Sequence, residues 1–272
     1  GGNHLITFHP YGGGSSGEDL HEEDWLDFNM IQSGHGKKGK GNYLLIQRDY
    51  NRTPAKPILD AEPCYEDHPV AWCPVNGKFD DYDCRTAAYW SVFSGSCGHT
   101  YGCNNIWQMW ETKYQSLAYA DRSWQDSLNL PGAYQMQFLR KLMESRPYLT
   151  RIPDQSIVYG DNKVDDYGSD YQVATRDGSP GKKDATYIMV YRPIINGIKV
   201  DTSCIAGEKL KVWWYDPAKG TAYPSPEIDN PKGEFGGMWH WMPWRVNTDQ
   251  KDWVLVIDDA AKGYPAPGTA IF

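Results

Sequence analysis

The run Lys56-Pro57-Ile58-Leu59-Asp60-Ala61-Glu62-Pro63 constrains this chain more than any other segment. An apolar stretch leads straight into two carboxylates and is stopped by proline, which cannot donate to a sheet ladder. A parallel α/β enzyme keeps its chemistry at the C-terminal ends of such strands. The two-residue period of a strand turns Asp60 and Glu62 to the same side. One Asp-x-Glu alone is an ordinary solvated strand end; repetition of the pattern is what gives it weight.

Three neighbouring runs share the construction. Leu5-Ile6-Thr7-Phe8 ends in His9-Pro10, Phe28-Asn29-Met30-Ile31-Gln32 ends in Ser33-Gly34-His35, and Gly98-His99-Thr100-Tyr101-Gly102 precedes Trp107. Between the second and third strands, Leu45, Ile46 and Tyr50 fall at helical spacing. Between the third and fourth, Asp80, Asp81 and Asp83 open a stretch in which Cys84, Ala87, Ala88, Ser91 and Val92 recur with a helical period. Acids at a helix start suit its dipole. The alternation predicts βαβαβαβ and a parallel sheet. Its strand tips would gather His9, His35, Asp60, Glu62, His99, Tyr101 and Trp107 around one pocket.

A second pattern begins further along. Proline opens the stretch 131–144, where Met136, Leu139, Leu142 and Met143 share one helical face and Arg140 and Lys141 lie near the end; Arg146-Pro147 breaks it. After Pro153 short strands take over at 171–175, 186–192, 198–202, 209–215 and 252–257. Turn signals such as Arg176-Asp177-Gly178, Ile195-Asn196-Gly197 and Asp216-Pro217 separate them. The spacing predicts an antiparallel β-sandwich over 153–272, behind an α/β domain over 1–152. A chain of 272 residues is long enough for two such cores.

Composition excludes several classes of partner. With a net charge of −8 and no basic stripe, nucleic acid is not expected. There is no 18-residue apolar run, so no membrane span is expected either. The chain holds 12 Trp and 19 Tyr against 7 Phe, side chains that join an apolar face to a polar edge and serve both buried packing and sugar-facing clefts. It opens Gly1-Gly2 with neither methionine nor leader, which reads as a trimmed chain from a periplasmic or extracellular protein whose export signal lies outside it.

The cysteines match no zinc spacing. Disulfides Cys64 to Cys73 or Cys97 to Cys103 would fit an oxidising compartment, and reduced buried thiols fit as well. Cys97 and His99, two apart on one strand, have no particular nucleophile and base geometry. Nothing holds three His or Asp ligands together, and Gly12-Gly13-Gly14-Ser15-Ser16 lacks the lysine of a phosphate loop. No metal or cofactor is therefore expected.

Several long motifs carry a resemblance. His9 to Ser16, Trp25 to His35, Pro57 to Pro63, Ala87 to Trp107 and Glu144-Ser145-Arg146-Pro147 resemble the apiosidase-like family of glycoside hydrolases, and Val212-Trp213-Trp214-Tyr215-Asp216-Pro217 resembles its C-terminal β-domain, labelled collagen-binding. The resemblance implies a (β/α)8 TIM-type barrel acting on plant cell-wall glycans, with apiose-linked pectic side chains as the characterised case. It makes Glu62 the nucleophile. It also implies that this chain is the C-terminal half of the barrel, strands five to eight. Strands one to four and the acid/base residue would then lie upstream, or on a second polypeptide. Glycosidases set two carboxyl groups on opposite sides of the bond, so Asp60, on the same strand as Glu62, is no substitute. Orienting the Glu62 charge or holding sugar hydroxyls suits it better.

Chemistry suggests the other roles. His9, His35 and His99 can donate to Glu62 or to hydroxyls, and Trp107 or Tyr101 can form an apolar platform for a sugar face. Two functions compete: a retaining glycosidase with an oligosaccharide or polysaccharide substrate, and a non-catalytic glycan- or matrix-binding protein. Carboxylates gathered with three histidines favour the first.

Overall fold

The structure is a computed structural model, and it describes residues 3–160, 170–195, 197–236 and 251–271. Asn196, in one of the expected turns, lies outside them. The described chain divides into two compact units, one reaching Met136 and the other beginning at Gln137.

In the first unit three short strands pair in parallel, in the order β1 (Asn29–Ile31), β2 (Ile58–Asp60), β3 (Gly98–His99). Helix α1 (Asn42–Tyr50) follows β1 and buries Ile46 against Ile31 and Ile58, giving the sheet a small apolar seam. Helix α2 (Asp81–Phe93) follows β2 and starts on a reciprocal cap: Asp80 accepts from the Asp83 amide while the Asp83 carboxylate accepts from the Asp80 amide. It packs Cys84 and Ala87 against Cys64, Val70 and Phe79. Helix α3 (Asn104–Trp107) is a single turn, and α4 (Pro131–Glu144) begins at the expected proline.

The second unit is antiparallel. Its larger sheet runs β10 (Thr221–Pro224), β9 (Lys209–Asp216), β13 (Trp253–Asp259), β7 (Tyr187–Arg192), β6 (Val173–Arg176), β4 (Ile152–Pro153), with β11 (Ile228–Asp229) also on β9. A second sheet orders β12 (Glu234–Gly236), β8 (Lys199–Asp201) and β5 (Val158–Tyr159). Alternate residues of the large sheet, among them Ile188, Val190, Val212, Trp214, Leu255 and Ile257, share one core with Val200 and Phe235 of the small one. Asp258, on the other face of β13, takes both ends of the Arg146 guanidinium at 2.8 and 2.7 Å.

The half-barrel expectation is corrected by this architecture. Among the described residues only β1, β2 and β3 pair in parallel as strands, each of two or three residues, and the remaining strands run antiparallel. The run Leu5 to Phe8 forms no strand. It is held by a pair of hydrogen bonds between Ile6 and Asp27 and by the Thr7 hydroxyl donating to the Phe28 carbonyl at 2.6 Å, and Leu5 and Phe8 stay exposed. An apolar run becomes a strand only when a neighbouring backbone offers a ladder, and here none does. Of the two cysteine readings left open, the structure has the free one: all six are thiols, with Cys64, Cys84, Cys103 and Cys204 buried and Cys73 and Cys97 exposed.

Candidate active site

Glu62 reaches its position because β2 ends early. The amides of Ala61 and Glu62 both donate to the Ile31 carbonyl, at 2.9 and 3.3 Å, so two residues oppose one and the chain bends as at a bulge. Strand alternation therefore lapses after Asp60, and the two carboxylates part. Glu62 turns into a cavity, whereas Asp60 turns inward and is fully buried.

The Glu62 carboxylate is held on both oxygens. Gln32 Nε2 donates to Oε1 at 2.7 Å, His35 Nε2 lies 3.2 Å from the same oxygen, and His9 Nε2 lies 2.8 Å from Oε2. The tautomer of His35 follows from its other nitrogen: Nδ1 accepts from the Tyr65 amide at 3.3 Å, so the proton is on Nε2 and points at Glu62. His9 lies between two oxygens, the Pro10 carbonyl at 2.8 Å from Nδ1 and the carboxylate at 2.8 Å from Nε2. The His35 hydrogen bond outweighs partial burial and, with the His9 contact, holds Glu62 below its ordinary carboxylate range.

Around it opens a cavity of about 300 Å³ lined by His35, Glu62, Tyr65, His68, Trp72, Trp107, Leu117 and Ala118. Tyr65 and His68 come from the loop between Pro63 and Pro69. Its backbone is pinned by bonds from Glu66 to Gly102, from Asp67 to Phe79, from Phe79 back to His68 and from Ala71 to His35. Burial, helped by the Glu62 charge, pushes the Tyr65 phenol up to about 12, so its hydroxyl keeps its proton. Two wall residues, Trp72 and Ala118, sit at positive φ of 56° and 46°. Backbone in that region is costly for a residue with a side chain, and it persists where the surroundings over-determine it, as functional sites do.

Of the residues singled out in the sequence, the structure gathers His9, His35, Glu62 and Trp107. Three others it places elsewhere. Asp60 is fully buried and accepts from Ser33, Asn42 and Ser91 in a network that ties β2 to the loop after β1 and to both helices, and burial raises its pKa. His99 pairs with Asp60 across the ladder, its Nδ1 is buried without a partner, and burial lowers it to about 3, so it faces the interior and not Glu62. Tyr101 donates at 2.6 Å to the buried Glu66 carboxylate, which also accepts from the Gly132 amide, so its hydroxyl is committed to the fold.

Gln32, Tyr65, His68 and Trp72 escaped the sequence reading. The available signal was a tyrosine and a histidine three and six residues beyond Glu62, bracketed by Pro63 and Pro69.

Glu62 thus lies in an aromatic-walled cavity with polar side chains against both carboxylate oxygens. The chain belongs to the apiosidase-like family, whose catalytic domain matches residues 1–150. Residues 152–258 match the family described as "Putative collagen-binding domain of a collagenase". Among solved structures it is similar to a glycoside hydrolase at 35% identity and a TM-score of 0.84, covering 95% of this chain and 58% of that one. It is similar also to a glycoside hydrolase family 5 protein from Bacteroides vulgatus ATCC 8482, at 35% identity and a TM-score of 0.85, covering 99% of this chain and 58% of that one. The chain thus spans a little under three fifths of the length of each. No curated protein matches it.

Proposed function

We propose that this chain carries the nucleophile of a retaining glycoside hydrolase acting on plant cell-wall glycans of the pectic, apiose-linked type, and that Glu62 is that nucleophile. The observation that carries the reading is the Glu62 carboxylate itself, held charged by Gln32, His35 and His9 at the floor of a cavity with indole and phenol walls. Donors on both oxygens fix the plane of the carboxylate so that a lone pair can meet an anomeric carbon, and ionisation readies it to attack. Attack forms a glycosyl ester on Glu62 as the glycosidic bond breaks; water then displaces the sugar. Tyr65, still protonated, stands by as a hydroxyl donor. Trp72 and Trp107 offer flat apolar faces to the C–H side of a ring.

The general acid must protonate the leaving oxygen from across the bond. Glu62 is the only carboxylate among the described wall residues; Asp60 is sealed away and Glu66 is bonded to Tyr101. As the resemblance to the family implies, we place the acid/base residue outside residues 1–272. We also assign residues 1–152 to the catalytic part and 153–272 to an accessory β-domain, in line with the two family matches. A binding protein without chemistry would need the indole walls but not a carboxylate fixed by three donors.

The test is Glu62→Gln in the natural polypeptide. Turnover on apiose-bearing pectic oligosaccharide should fall by about 10³-fold or more with the fold unchanged. Near-normal rates would defeat the assignment.

A further inference from the structure

His68 plays no part in the chemistry just described, yet its ring is fixed as firmly as that of His35. Its Nδ1 lies 2.7 Å from the Pro69 carbonyl, and because a carbonyl only accepts, Nδ1 carries the proton. The ring stacks on His35 at 4.3 Å with 24° between planes and meets the edge of Trp72 at 5.1 Å, so its orientation is set on two sides. Turning it over would give up the Pro69 hydrogen bond, and the other tautomer would set a bare lone pair against that oxygen. Burial, reinforced by His35, lowers its pKa to about 4, which leaves the ring neutral at pH 7. Nε2 is then an acceptor. Among the described residues it has no hydrogen-bond partner, and the side chain forms part of the cavity wall beside Glu62.

The other polar wall groups differ from it. The carboxylate of Glu62 is already met by donors, His35 uses both nitrogens, and the Tyr65 hydroxyl holds its proton. The wall thus presents one nitrogen lone pair, oriented in advance and waiting for a donor. An acceptor left unpaired in a closed site costs binding, so a site built around one discriminates strongly against a ligand that lacks the matching proton.

We propose that His68 Nε2 accepts a hydrogen bond from a hydroxyl of the sugar seated next to Glu62, which makes His68 a positioning residue that rejects a sugar deoxygenated or O-methylated at that carbon. This rests on the glycosidase reading only for where the sugar sits; the hydrogen bond forms at equilibrium and needs no turnover.

Two measurements on the natural polypeptide decide it. Long-range ¹H–¹⁵N spectra at pH 7 should show His68 protonated on Nδ1 alone, and titration with D-apiose or D-xylose should move the Nε2 resonance while Nδ1 stays in place. In calorimetry with the same two sugars, His68→Phe, which keeps a ring for stacking, should weaken binding about tenfold, and His68→Gln, whose amide oxygen can accept, should recover part of the loss. A ring protonated on Nε2, sugar binding that leaves Nε2 unmoved, failure of both sugars to bind, or unchanged affinity in His68→Phe would each overturn the proposal. Sugar binding through Nε2 in a protein that hydrolyses nothing would leave it standing and defeat the catalytic reading. Hydrolysis with Nε2 unmoved would do the reverse.

Discussion

The two units of this protein make opposite use of buried polar groups. In the antiparallel unit, β7 and β13 are buried along their whole lengths and alternate residues feed one apolar core, with the Arg146–Asp258 pair on the far face of β13. In the parallel unit the strands stop after two or three residues, and the interior beneath them is polar: Asp60 with Ser33, Asn42 and Ser91, and Asn29 with His21. Long ladders hold the antiparallel unit. Side-chain hydrogen bonds hold the parallel one, and in exchange for ladder length its chain is free to bend at Ala61 and swing Glu62 into a cavity. The difference teaches where a site can be built: where regular pairing gives out and specific polar contacts take over.

The largest effect should come from the Arg146–Asp258 ion pair of the antiparallel unit. Arg146 is fully buried, grips Asp258 through two nitrogens, and shares it with Trp213 Nε1 at 3.1 Å. Arg146→Met strands a carboxylate in the interior and should cost about 3–5 kcal/mol in denaturant unfolding of this unit. Loss below about 1 kcal/mol would show that water reaches Asp258 and that the contrast drawn here is too sharp.

Next in size is the polar hub of the parallel unit. Asp60→Asn keeps the volume but turns one acceptor oxygen into an NH₂ facing donors from Ser33, Asn42 and Ser91. The mismatch should cost about 1–3 kcal/mol. It should lower activity only in step with the folded fraction, because Asp60 is fully buried among protein donors. A severe loss of turnover in a fully folded Asp60→Asn protein would return Asp60 to the catalytic machinery.

Smallest is a pH effect. Glu62 is held below its ordinary value of 4.5, chiefly by the His35 hydrogen bond. A lowered folded-state value means that the unfolded chain takes up the proton more readily, so this group's stabilisation is present above about pH 4.5 and is lost as pH falls through the lower folded value. The acid limb of kcat/KM should accordingly lie below 4.5 and move up in His35→Ala. A limb above 4.5 in the unaltered protein would mean that burial, and not His35, governs Glu62.

Local signals served some of these features well. The proline-stopped run ending in Glu62, the acids that cap α2 and the proline that opens α4 are chemistry contained within a few residues, and each stands where the sequence places it. Facing was harder to read. Asp60 and Glu62 part company because two amides share the Ile31 carbonyl, a contact between strands that no period of two reveals. His99 and Tyr101 lie at a strand end as read, but their partners are interior: one pairs across from Asp60 and the other bonds to Glu66. Leu5 to Phe8 looked like a strand because it is apolar, and it failed as one for want of a ladder. Tyr65, His68 and Trp72 were hidden because a loop's path depends on backbone bonds to distant residues such as Phe79, Gly102 and His35.

The central claim is that Glu62 forms the covalent intermediate, and trapping tests it most directly. The natural polypeptide, incubated with an activated 2-deoxy-2-fluoro glycoside that slows hydrolysis of the glycosyl ester, should gain the mass of one fluoro-sugar, and peptide mapping should place it on the segment containing Glu62. An adduct on a different carboxylate, or normal turnover of the pectic oligosaccharide with inversion at the anomeric carbon, would contradict the account.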